Sequence, residues 1–393
     1  MINIERTKQA AIERVEEVSA EAIEMSHLIH ENPELGFEEV KAHRWLTNYA
    51  TAHGFTVETP VADLPTAFRA SYRGGDGPTV AFLAEYDALP GVGHGCGHNL
   101  ICTAASAAAT AVKDAWPDLP GEIVIMGTPF EEGGGGKILM IERGAFNDVD
   151  LSMMFHPALA TAANTPSLAA ANLTITFEGK ASHSAISPWQ GVNAADAAML
   201  FFNGVNAYRQ HVTPDVRVHG VIKEAGLKPN IVPDHAVVEF MVRAHRSEQL
   251  EEVVEHVLNI ARGAELMTRA KFSYERGLTY LDYRHSASLG RAAELNLEKI
   301  GVAPAAIGPD WPRASGDAGN VSQIVPHLSL AVAISDSPIP GHSPQWRDAA
   351  GSAKGEWALI TAAKTMALTA IDIFSDPRLL ETTKREQQTA MNV

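Results

Sequence analysis

Apolar residues recur at three- and four-residue steps from Ile12 through Val15, Ala22, Met25 and Ile29, the spacing of an amphipathic helix. Ala42, Trp45, Leu46 and Tyr49 repeat the pattern. Short apolar runs then appear at 79–84, 122–126, 151–155 and 329–334, and their length and boundaries predict buried strands. Between the first two, the small apolar stretch 101–112 predicts a helix that covers the sheet. Such alternation points to an α/β fold with a mostly parallel sheet flanked by helices.

The texture changes near Ala170. Longer strands are predicted at 173–177 and 236–242, and helices at 194–208 and 248–261. This suggests an inserted α+β domain over 170–283, interrupting a discontinuous domain made of 1–169 and 284–393. The final fifteen or so residues are polar, which favours fraying.

Composition narrows the class. A chain of 393 residues exceeds one ordinary core, in keeping with two domains. With 46% hydrophobic and 20% charged residues and no long uninterrupted apolar run, it reads as globular, with no membrane association. The first residues lack a basic start followed by an apolar core, so a cytoplasmic location is expected. A net charge of -16 argues against a nucleic-acid partner and against binding anionic membranes. Two cysteines, Cys96 and Cys102, are too few for a disulfide scaffold.

The candidate chemistry begins at His94-Gly-Cys-Gly-His98, after a predicted strand and before a predicted helix. A glycine between Cys96 and His98 permits a turn tight enough for thiolate and imidazole to converge on a metal. A glycine loop with a buried cysteine and surface histidines is the alternative. Glu131 and Glu132 follow another predicted strand, and His156 follows a third. Ligands of open α/β sheets gather at such carboxyl ends. Gly133 to Gly136 with Lys137 invites a phosphate-loop reading, but Glu131 and Ile138 stand where that motif needs glycine and Ser or Thr.

Five segments taken together resemble the M20 metallopeptidase and amidohydrolase family: Glu85-Tyr-Asp-Ala-Leu-Pro90, His94-Gly-Cys-Gly-His-Asn99, Thr128-Pro-Phe-Glu-Glu132, Phe155-His-Pro157 and Gly179-Lys-Ala-Ser-His183. The match is similar to the aminoacylase-like and carboxypeptidase-like branch that includes p-aminobenzoyl-glutamate hydrolase. The resemblance implies two divalent metal ions, zinc or manganese, held by Cys96, His98, Glu132, His156 and His342, with Cys96 bridging. His327 is a rival for the last position. It implies Glu131 as general base, since a carboxylate beside paired metals can take a proton from acidified water and pass it to the leaving amine. Asp87 is implied to orient a ligand. His94 falls outside the implied ligand set, as an orienting or structural residue. His183 is implied to polarise the scissile carbonyl, often across a dimer. Asn230 and Arg243 match the spacing of residues that hold a substrate carboxylate, for which a guanidinium fork is well shaped. The inserted domain is implied to be a lid through which a homodimer forms.

Some residues depart from the commonest family wording. Asn99 replaces an aspartate, and Gly316-Asp-Ala-Gly-Asn-Val-Ser322 is an unusual version of its loop. His30-Glu-Asn-Pro-Glu-Leu-Gly36 reads as a helix stop and packing feature. The expected substrate is a small-molecule amide: an N-acyl or N-aroyl amino acid, or a dipeptide. Two other classes compete. A hydrolase of nonpeptide C–N bonds, such as anilides, aryl amines or carbamates, would use the same site. A noncatalytic binding protein would lack the base or a ligand, and both are present. No Gly-x-Ser-x-Gly elbow supports a serine nucleophile.

Overall fold

The computed structural model describes residues 3–308 and 311–390. The chain divides into two compact units, Met1–Pro166 with Tyr283–Val393, and Ser167–Asp282. The first opens with helices α1 (Ile4–Glu31) and α2 (Val40–Ala52). Strands β1 (Thr56–Glu58), β2 (Phe68–Arg73) and β3 (Thr79–Ala84), helix α3 (His98–Ala115), strand β4 (Glu122–Gly127), helix α4 (Gly136–Glu142) and strands β5 (Leu151–Ala158) and β6 (Ala162–Ala163) follow. The second unit carries β7 (Ala169–Glu178), α5 (Ala194–Tyr208), β8 (Arg217–Glu224), β9 (His235–Ala244), α6 (Ser247–Thr268) and β10 (Lys271–Tyr280). The first resumes with α7 (Ala287–Lys299), α8 (Ala318–Ile324), β11 (His327–Ala333), α9 (Pro344–Ala350), α10 (Ala353–Ser375) and α11 (Pro377–Ala390).

The first unit's sheet runs in the order β1-β2-β4-β3-β5-β11-β6. Its four central strands are parallel and both margins are antiparallel, in agreement with the mostly parallel sheet expected. Every residue of β3 and β4 is buried, which explains their continuous apolar runs. Small residues along α3 let it pack closely against α1 and α10. Helix α10 is long and apolar enough to cross a membrane, but most of it is buried in this core. Lys8 Nζ donates to Asp372 on α10 at 2.8 Å and to Asn296 at 2.9 Å, so the polar atoms there are paired.

Within the described residues the tail is not frayed, and 391–393 lie outside them. Residues 377–390 form α11, whose Gln387 donates to the Ser322 carbonyl at 2.9 Å while Glu386 accepts from Ser286 and Ser288. Polar side chains dock this helix, so composition alone misjudged it.

The second unit is one antiparallel sheet, β10-β7-β9-β8. Along β9, Ala236, Val238, Phe240, Val242 and Ala244 are buried with residues of α5 and α6, while the alternate side chains take the other face. Two strands beyond those expected, β8 and β10, flank the pair read from the sequence.

Candidate metal centre

The parallel strands deliver the chemistry of the first unit at their carboxyl ends. Past β3 come Glu85, Asp87 and the loop bearing Cys96, past β4 come Glu131 and Glu132, and near the end of β5 stands His156. Gly97 adopts φ +80°, a left-handed conformation that a side chain would strain, and it turns the chain from Cys96 straight into α3 at His98. His342 is also left-handed at φ +55°, and its amide donates to the Gly95 carbonyl at 3.2 Å, tying its loop to that of Cys96. Ser343 follows as the cap of α9, its hydroxyl accepting from the Trp346 amide.

These loops make two overlapping trios. Donor atoms of Cys96, His98 and His156 lie within 4.8 Å of one another, and so do those of Cys96, Glu132 and His342. Cys96 is common to both. Glu131 joins His98 and Glu132 in a third group of the same tightness.

Hydrogen bonds orient the donors. His98 Nδ1 lies 2.8 Å from the Asp87 carbonyl oxygen and 3.1 Å from its Oδ1. A carbonyl only accepts, so Nδ1 carries the proton and Nε2 is left for a cation. His156 Nδ1 likewise donates to the Pro157 carbonyl at 2.9 Å. Asp87 Oδ2 accepts from the Glu132 amide at 2.9 Å, so one buried carboxylate steadies two candidate ligands.

The donor set fits paired divalent cations. His98 Nε2 and Glu132 Oε1 are buried with no hydrogen-bond partner, a costly state for polar atoms unless something charged completes them. They stand 4.0 Å apart, and His342 Nε2 lies 3.7 Å from the same Oε1. Burial also raises the Cys96 thiol pKa, so it becomes a thiolate only against a cation. Burial would lower the His98 pKa, yet Glu85 and Asp87 outweigh it and hold it well above the ordinary value. A proton and a metal therefore compete for Nε2.

Burial, helped by Glu85, Glu132 and Asp317, pushes the Glu131 carboxyl well above the usual range. Its loop is braced from behind. Glu39 accepts from the Phe130 amide at 2.9 Å and from the Thr66 hydroxyl at 2.8 Å, and Phe37 meets the Phe130 ring edge-on. The segment from His30 to Gly36 supports the same region: the Glu34 carbonyl accepts from the Ala88 amide. His94 is buried against His30, and burial lowers its pKa to about 3. His327, the rival to His342, is buried on β11, where Ser152 bonds its Nδ1.

The remaining expected residues lie in the second unit. A bridge between His183 and Ile231 brings His183 beside Asn230, whose carbonyl accepts from the Ser184 amide at 3.1 Å. Arg243 is half-buried near the other end of β9, directly across from Arg217 on β8. Sequence reasoning weighed Lys137 only as part of a phosphate loop and passed over Asp317. Their only signals were the glycines before the lysine and the unusual wording around Gly316.

The Xaa-Arg dipeptidase of Homo sapiens is 37% identical, over 96% of this chain and 91% of its own length. The chain belongs to the M20 peptidase family. Residues 168–266 match the family model described as a peptidase dimerisation domain. A p-aminobenzoyl-glutamate hydrolase component from Escherichia coli (strain K12) is 32% identical over 92% of the chain and 90% of its own length. Among solved structures, a dinuclear metal-binding M20 peptidase from Bacillus subtilis shares the fold, with a TM-score of 0.74 at 20% identity, covering 92% of this chain and 99% of that one. As an M20 member, the chain is a metal-dependent hydrolase of C–N bonds.

Proposed function

We propose that this protein hydrolyses the amide bond of a dipeptide or of an N-acyl or N-aroyl amino acid at a centre of two zinc or manganese ions. The observation that carries the reading is the pair of donor trios sharing Cys96, with the Glu131 carboxylate beside them. Cys96, His98, His156, Glu132 and His342 would hold the ions, with Cys96 common to both trios. When bound, the cations would acidify a water and polarise the substrate carbonyl. Glu131 takes the proton of the attacking water and returns it to the departing amine. Asp87 keeps the His98 ring and the Glu132 backbone in register.

Arg243 and Asn230 are assigned to the substrate carboxylate, and His183 to the scissile carbonyl. The second unit supports a homodimer. From His235 to Arg243 the strand covers roughly 25 Å at about 3.3 Å per residue, and Asn230 precedes its start. One small substrate cannot reach both ends. A second copy supplying His183 and Asn230 resolves the separation, in keeping with the dimerisation domain. We place the enzyme in the cytoplasm.

A metal-replete panel of dipeptides, N-acetyl and N-benzoyl amino acids, p-aminobenzoyl-glutamate and uncharged anilides, read by mass spectrometry, tests the reading. Turnover of a carboxylate-bearing amide, lost on chelation, is the expected result. Chelation without effect, or turnover of anilides alone, would reject it.

A further inference from the structure

Lys137 follows four glycines, and its side chain is wholly buried. Its Nζ donates to Glu85 Oε2 at 2.6 Å and to Asp317 Oδ1 at 2.7 Å, and its amide donates to Asp317 Oδ2 at 2.9 Å. Three segments meet there: the end of β3, the first turn of α4 and the residue preceding α8. A buried cluster of one cation and two anions is a poor device for stability, because well-packed apolar side chains often serve as well or better. The explanation lies in where the cluster points.

The other oxygen of Glu85, Oε1, is buried without a hydrogen bond, 3.4 Å from His98 Nε2. Nδ1 donates to Asp87, so Nε2 is the ring nitrogen that faces Glu85, and a proton or a metal ion must lie beside it. Two electron-rich atoms so placed repel unless a positive charge lies beside them. Glu85 cannot turn away without giving up its bond to Lys137.

We propose that Lys137 is a positioning residue for the metal centre: through Glu85 it fixes a carboxylate against the His98 and His156 side and strengthens cation binding there. This rests on the dinuclear reading above. Removing a partner that orients a metal site typically weakens affinity by about 10- to 100-fold.

The test is Mn2+ binding by calorimetry to metal-stripped full-length protein. The wild type is expected to bind two ions. Lys137→Met and Glu85→Gln should each weaken one of the two by about 10- to 100-fold, leaving the other unchanged. In Lys137→Met/Asp317→Asn the cluster regains its original net charge, so the melting temperature should recover while the weakened affinity does not. Wild-type affinity at both positions in that double variant would overturn the proposal and leave the dinuclear reading standing. A wild type that binds no manganese, zinc or other divalent ion would overturn both.

Discussion

Gly316 sets how close the backbone comes to Glu131. A Cβ built there would lie 2.8 Å from Glu131 Oε1, where ordinary contact begins at 3.4 Å. The Gly316→Ala variant therefore forces the carboxylate back by about 0.6 Å. The obstacle is a side-chain end, so the fold accommodates the methyl group and the proposed base moves. Displacements near 1 Å in a catalytic group can cost about 100-fold in rate. We expect kcat to fall about 10- to 100-fold, with KM, metal content and melting temperature near wild type. Steady-state kinetics on the best panel substrate, metal analysis and thermal melts read these together. Unchanged kcat in a folded, metal-loaded variant would refute the placement of Glu131 as the base. A large loss of melting temperature would refute the claim that Gly316 serves the site and not the fold.

Other outcomes follow from the same geometry. Glu131→Gln should lower kcat by about 100- to 10,000-fold while two metal ions still bind, as rates and metal analysis will show. Arg243→Ala should raise KM for an N-acyl amino acid by roughly 10- to 100-fold, the worth of a charge-assisted hydrogen bond, with little effect on an uncharged anilide. Burial, the main cause, pushes the Glu39 pKa from 4.5 up to about 7. A raised folded-state pKa means stability that is present below pH 4.5 and lost as pH rises through 7. Glu39→Gln should therefore gain on the wild type by up to about 3 kcal/mol between pH 4.5 and pH 8, and parallel denaturant titrations will measure it.

Much of this was legible in the chain because the central strands are buried on both faces. Their apolar runs are continuous, and 79–84 coincides with β3. The loops carrying the candidate ligands come after those strands, so Cys96, His98, Glu131, Glu132 and His156 stood out. Strands β8 and β10 did not: both are edge strands carrying many exposed side chains, such as Lys223 and Glu275, which dilute the alternation. Helix α11 was misread because Gln387 and Glu386 find protein partners where their polarity suggested water. Lys137 was weighed only as part of a phosphate loop, and its place in the buried cluster was hidden for a different reason. Its partners, Glu85 and Asp317, are 52 and 180 residues away, and only the fold brings them together.

Anomalous scattering from a manganese-loaded crystal tests the shared role of Cys96 most directly. Two peaks are expected per chain, both bonded to Cys96 Sγ, one also to His98 and His156 and the other to Glu132 and His342. A single peak, or two peaks with Cys96 bonded to neither, would contradict the account.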